Sequence, residues 1–157
     1  MGHNKSIIHS GIMAGSIGAF SVIFWFSIID FIAGQPFFTP GALGSAVFLG
    51  ISDPTMVTVS VFTILGYTVI HFFAFFIVAT LAALIFRDTK KHKSTFFYAL
   101  EFFIILEVLF HFTVGLLFTP LLAEFAWINI AIGNIISVVA MGIYFYRTEQ
   151  VLSKALF

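Results

Sequence analysis

The chain has no cysteine. That removes disulfide staples, thiolate metal sites and a Cys nucleophile from its chemistry. Charge is almost as scarce. Asp, Glu, Lys and Arg make up 9% of the 157 residues, against roughly 25% in soluble domains. The seven basic and seven acidic residues cancel to a net charge of zero, so no basic footprint for nucleic acid exists. Walker, dinucleotide, G-x-S-x-G and H-E-x-x-H motifs are all missing. What the chain does contain is apolar: 61% of residues are hydrophobic, 23 are Phe, and the mean hydropathy is +1.12. Such a chain is an integral membrane protein, with too little length left over for a second domain.

Four apolar runs divide the sequence into a single all-α domain, with spans at about 7–33, 57–86, 95–118 and 121–146. Each exceeds or approaches the ~20 residues that cross the hydrocarbon. The first run is too long for a cleaved signal peptide, whose apolar region covers about 7–15 residues. Gly2 and Ser6 fit a loose acylation pattern that chance often satisfies. Between spans one and two, Thr39-Pro40 reads as an N-cap with a first-turn proline, opening a short extracytoplasmic helix to about Leu49. About ten residues cannot cross a bilayer. With Phe37, Phe38, Val47 and Phe48, this helix is expected to lie on the membrane surface or to tuck into the bundle. Ser52-Asp53-Pro54 reads as the start of span two, and Asp30 is expected at the membrane interface within reach of water.

Charge placement orients the bundle. Lys5, Arg87, Lys90, Lys91, Lys93, Arg147 and Lys154 fall in the N-terminal tail, the loop between spans two and three, or the C-terminal tail. The other two connections carry Asp53 and Glu124. By the positive-inside rule both termini are cytoplasmic, and four spans is the count that puts every basic residue on one side. Trp127, Tyr144 and Tyr146 suit the interfacial belts. The expected architecture is therefore four antiparallel transmembrane helices with a short extracytoplasmic helix after the first.

Two residue patterns stand out within it. Gly11, Gly15 and Gly18 in span one, and Gly133 in span four, are spaced so that helix backbones can approach closely. The seam is expected inside the bundle, with a dimer contact as the other option. The second pattern is polar. His71 lies near the middle of span two, Glu107 near the middle of span three with His111 one turn on, and Asn134 near the middle of span four. Glu107 and His111, four apart, share a helix face; Glu101 does not, and lies nearer Lys91 and Lys93. Ionisable groups in hydrocarbon are costly and face protein or water, so one intramembrane layer can be drawn from His71, Glu107, His111 and Asn134. It reads as a neutral hydrogen-bonded network, as a metal site on His71, Glu107 and His111 or a haem b held by His71 and His111, or as a proton or ion path through Glu107. Against the last stand the short chain and the lack of paired broken helices.

Several segments resemble a group of small, uncharacterised four-span bacterial inner-membrane proteins. They are G11-x-x-A14-G15-x-x-G18-A19, W25-F26-x-x-x-D30, G34-x-P36-x-x-T39-P40-x-x-L43-G44, Y67-x-x-x-H71-F72, the Glu107 segment and G133-N134. The resemblance covers most of the chain. It implies the four-span fold and a bacterial inner membrane, implies no activity, and singles out Asp30, His71 and Glu107. The functional expectation is a non-catalytic accessory or assembly subunit of a larger membrane complex, surrounded by lipid and packed against other subunits or copies of itself. The alternatives are a haem- or metal-binding redox protein using His71 and His111, and an oligomeric proton or ion conductor.

Overall fold

In a computed structural model of the chain, residues 2–51, 53–88 and 124–154 are described, together with 104, 105, 108 and 112. Most of expected span three, with Glu101, Glu107 and His111, lies outside the described residues, as does most of the basic loop before it. Helix α1 is Gly2–Ile32, α2 is Phe38–Leu49, a short 3-10 turn covers Pro54–Met56, α3 is Val61–Asp88, and α4 is Glu124–Lys154. Among the described residues there is no strand. Helices α1, α3 and α4 contain runs long and apolar enough to cross a membrane: Ile7–Ile32, Val61–Ile85 and Trp127–Thr148. At about 1.5 Å per residue these runs reach roughly 33–39 Å, longer than a hydrocarbon core of about 30 Å. Their exposed surface is apolar, with Phe20, Phe24, Val61, Val69, Phe73, Ile135 and Val139 among the outward residues. Ile104, Ile105, Val108 and Phe112 are also helical and exposed, and that spacing falls on one helix face.

Helix α1 is the shared partner. It packs along both α3 and α4, which touch each other only sparsely. Gly11 lies against Thr80, Gly15 against Phe76, and Gly18 against Phe75, while the Phe20 and Phe72 rings meet edge to face at 5.1 Å. Rising numbers on α1 meet falling numbers on α3, so the two run antiparallel. Gly18 also faces Met141, and Trp25 faces Gly133, which makes α1 antiparallel to α4 as well. Helices α3 and α4 are consequently parallel. The core joins the three: Ala14 from α1 and Ala79, Ala82 and Ala83 from α3 supply small surfaces, and Met141 and Phe145 from α4 fill the space between them.

The glycines explain the close approach. A Cβ on Gly15 would sit 2.8 Å from Phe76 Cδ1 and 2.9 Å from the Phe75 carbonyl oxygen. A Cβ on Gly11 would collide with the Thr80 side chain and come within 2.8 Å of its Cα. Backbone cannot yield as a side-chain tip can, so these positions set the distance between helices.

The connection from α1 to α3 departs from the expected one in three ways. Helix α2 begins at Phe38, so Thr39 lies inside its first turn instead of capping it. The capping position belongs to Phe37, which is left-handed at φ 64. Asp30 is 4% exposed and not open to water, because it is held against that first turn. Asp53 opens the 3-10 turn and not the span: its carboxylate accepts from the Thr55 backbone N–H and hydroxyl at 2.8 and 2.7 Å, and α3 starts later, at Val61. Those bonds from Thr55 hold the exposed Asp53 carboxyl below the usual carboxylate range. The turn is therefore favoured while Asp53 is ionised and weakens as falling pH protonates it. Helix α4 is described from Glu124 to Lys154, so it runs past the expected end of span four.

Gly34, at φ 70, ends α1. The Gly34 N–H donates to the Phe31 carbonyl and the Gln35 N–H to the Asp30 carbonyl, the paired bonds of a Schellman ending. Pro36 and Phe37 then form the centre of a turn closed by Phe38 N–H donating to the Gln35 carbonyl at 3.1 Å. A left-handed residue in the second central position normally calls for Gly or Asn. A non-glycine residue there costs of order 1–3 kcal/mol, which the surrounding contacts must offset.

The seam yields a paired test. Gly15→Leu should overpack the α1–α3 contact and lower stability by about 1–3 kcal/mol or more. Gly142, whose added Cβ would meet no described residue within 4 Å, should accept Ala with a gain of up to about 1 kcal/mol from helix propensity. Thermal unfolding in one detergent should move in opposite directions for the two variants; equal shifts would remove the seam as the cause.

Candidate functional site

Of the four residues of the expected polar layer, the structure describes two. His71 is half-buried on the face of α3 that meets α1. Its Nε2 lies 3.3 Å from the Ala19 carbonyl oxygen. A carbonyl can only accept, so Nε2 carries a proton in this bond. The imidazole is packed among aromatic rings, with Phe75 at 4.8 Å, Tyr67 at 5.9 Å and Phe72 at 6.3 Å between centroids. Asn134 is partly buried on α4 and takes part in an interaction of its own. It follows Gly133, which faces Trp25 of α1, whereas His71 faces Ala19. The two residues are thus offset along α1 by about one and a half turns, roughly 8–9 Å of rise. Glu107 and His111 lie outside the described residues.

This geometry bears on metal and haem binding. A ligating histidine offers an unprotonated nitrogen, and its other N–H is held by a carbonyl or carboxylate. Here the Ala19 carbonyl holds Nε2, so a ligand role would fall to Nδ1. Among the described residues no three His, Asp or Glu side chains converge.

Some of the other polar bonds of the described helices join elements, and others close within one helix. The Trp25 indole N–H donates to the Asn129 carbonyl at 3.0 Å, tying α1 to α4 across 104 positions. Ser45 Oγ donates to the Thr58 carbonyl at 2.8 Å and accepts from the Thr58 N–H at 3.2 Å, tying α2 to the approach to α3. The hydroxyls of Ser21, Thr68 and Thr80 bond back to carbonyls four residues earlier. Ser137 differs: it is 1% exposed on α4 and its hydroxyl has no hydrogen-bond partner among the described residues.

Asp30 engages both of its carboxylate oxygens. One oxygen accepts the Thr39 N–H at 2.8 Å and the other the Thr39 hydroxyl at 2.6 Å. A helix N-terminus presents unpaired N–H groups and the positive end of the dipole, so a carboxylate nine residues upstream caps α2 from outside. Sequence reasoning missed this because cap signals are sought at the cap position itself, where Phe37 stands. The pair Asp30 and Thr39 gives no helical or strand periodicity to notice. Trp25 was missed for a similar reason, since its acceptor is a backbone oxygen, which every residue carries.

In comparisons with known proteins, no family model, curated protein or solved structure matches the chain.

Two substitutions test these assignments. Asp30→Ala should free the α2 N-terminus, costing about 1–3 kcal/mol for a lost charged hydrogen-bond acceptor, and hydrogen exchange at the Thr39 amide should accelerate while α3 amides hold. Ser137→Ala should leave stability unchanged or raise it, because the hydroxyl it removes is buried without a partner; a clear loss of thermal stability would assign that hydroxyl a partner.

Proposed function

We propose that this chain is a non-catalytic accessory or assembly subunit of a larger membrane complex. The observation that carries this reading is the use made of polar groups inside the described spans. His71 and Trp25 each bond a backbone carbonyl of a neighbouring helix, and the Ser21, Thr68 and Thr80 hydroxyls close on their own helix. The first two bonds hold helices together, and the other three leave none of those hydroxyls turned to chemistry. The surface left over is apolar on α1, α3 and α4, suited to lipid and to the helices of other subunits. The redox alternative on His71 and His111 requires His71 to release Ala19 or to bind through Nδ1, and no observation favours it over the structural reading.

The same proposal includes four spans, both termini in the cytoplasm, and a bacterial inner membrane. The parallel run of α3 and α4 supports the span count. In an antiparallel four-span bundle the second and fourth spans run parallel, as α3 and α4 do. The position of all seven basic residues at one end of such an arrangement supports the orientation, and the resemblance to small four-span bacterial proteins supports the membrane.

Two measurements test it. Single cysteines at Lys91 and Lys154 should resist an impermeant thiol reagent in intact cells while one at Asp53 labels; the reverse pattern would overturn the orientation. Protein isolated in mild detergent from the membranes of its own cells should bring stoichiometric partner subunits and show no Soret band. A Soret band without partners would replace the accessory reading by the redox one.

A further inference from the structure

We propose that α2 and its flanking turns are embedded in the headgroup–acyl boundary of the same bilayer, with lipid chains covering their outer edge. This inference rests on the chain spanning a membrane and not on its role in an assembly.

The argument begins with charge. Between Asp30 and Asp53 the sequence contains no acidic, basic or histidine residue. Asp30 itself is buried on Thr39. Yet the segment exposes large apolar side chains: Phe31, Ile32, Phe37, Val47, Phe48 and Leu49. A loop standing in water would expose charge at such positions.

The backbone is arranged for the same place. Away from water, each N–H needs a partner within the protein. At the entrance, Ala33, Gly34, Gln35 and Phe38 donate to nearby carbonyls, and Thr39 donates to the Asp30 carboxylate. At the exit, Gly50 and Ile51 donate back to Ala46 and Ser45. Thr58 donates to Ser45 Oγ, and Ser60 donates to Thr63 Oγ1. The first charged group after this stretch, Asp53, is exposed, which marks where the chain meets water.

The inner side of α2 fixes its depth. Gly41 lies against Val59, and Gly44 against the Thr63 backbone. Phe48 covers Gly66 and meets the Phe62 ring at 5.3 Å. The helix therefore sits beside the first turns of α3, at one end of the bundle. Its exposed edge continues into Val61, Phe62, Leu65 and Val69, the outer face of a membrane-length helix. Continuity with that face identifies the occupant as lipid.

The experiment uses the absence of cysteine, which makes any introduced thiol unique. Leu49→Cys, Asp53→Cys and Val69→Cys variants of the full chain are labelled with bimane and reconstituted alone in phosphatidylcholine vesicles. Each is then quenched by doxyl-labelled lipid and, separately, by iodide. Leu49→Cys should be quenched at least threefold more by shallow doxyl lipid than Asp53→Cys, and less by iodide; Val69→Cys should respond to deeper doxyl lipid. If Leu49→Cys matches Asp53→Cys in iodide quenching, α2 stands in water and the proposal falls. If Leu49→Cys is shielded from both quenchers, protein covers it and the proposal also falls. If Val69→Cys escapes doxyl lipid, the membrane reading beneath the proposal has failed instead.

Discussion

The close approach of α1 to α3 is the constraint on which the rest of this structure depends. In a bilayer the apolar effect that assembles soluble proteins gives little preference for one helix neighbour over lipid, so contact area and internal hydrogen bonds must do the selecting. Gly11, Gly15 and Gly18 make that area available by removing side chains along one stripe. The Ala19 carbonyl then comes within reach of His71, and Ala14 joins Ala79 and Ala82 in one core cluster. With those backbones in place, Met141 and Phe145 find a shaped cleft to fill. A larger side chain at Gly15 would separate the helices and undo each of these contacts together.

The connection between those helices obeys a second constraint, that a backbone removed from water must satisfy itself. Asp30 is the instructive case. Its charge would be expensive beside hydrocarbon, yet two oxygens facing an N–H, a hydroxyl and a helix N-terminus form a neutralising environment. Phe37 is the mirror case. Its backbone conformation is unfavourable, but it lets the chain reverse from α1 into α2 within five residues.

How far the sequence could be read follows from the same physics. Apolar runs of membrane length are a one-dimensional property, so α1, α3 and α4 could be found from hydropathy alone. The spacing of Gly11, Gly15 and Gly18 pointed to a close-packed stripe, because one helix face can be computed from numbering. Partners cannot be computed that way. Nothing local tells that Gly18 will meet both Phe75 and Met141, or that Asp30 will cap a helix that starts beyond a turn. His71 could be recognised as a polar group at mid-depth, but its hydrogen bond ends on a backbone oxygen, which leaves no trace in residue identity. A polar layer drawn by matching side chains to side chains overlooks that class of acceptor.

One consequence concerns the order of assembly. The contacts among α1, α2 and α3 close within the first 88 residues, so this hairpin and its short helix form a unit whose contacts all lie in the part of the chain made first. Helix α4 adds its Trp25 bond from 104 positions away and docks on a surface already shaped. During synthesis the side of α1 that receives α4 thus waits, apolar, until that helix emerges. In that interval the same face is open to any other apolar helix that passes. The speed with which α4 follows then becomes part of what keeps the chain paired with itself.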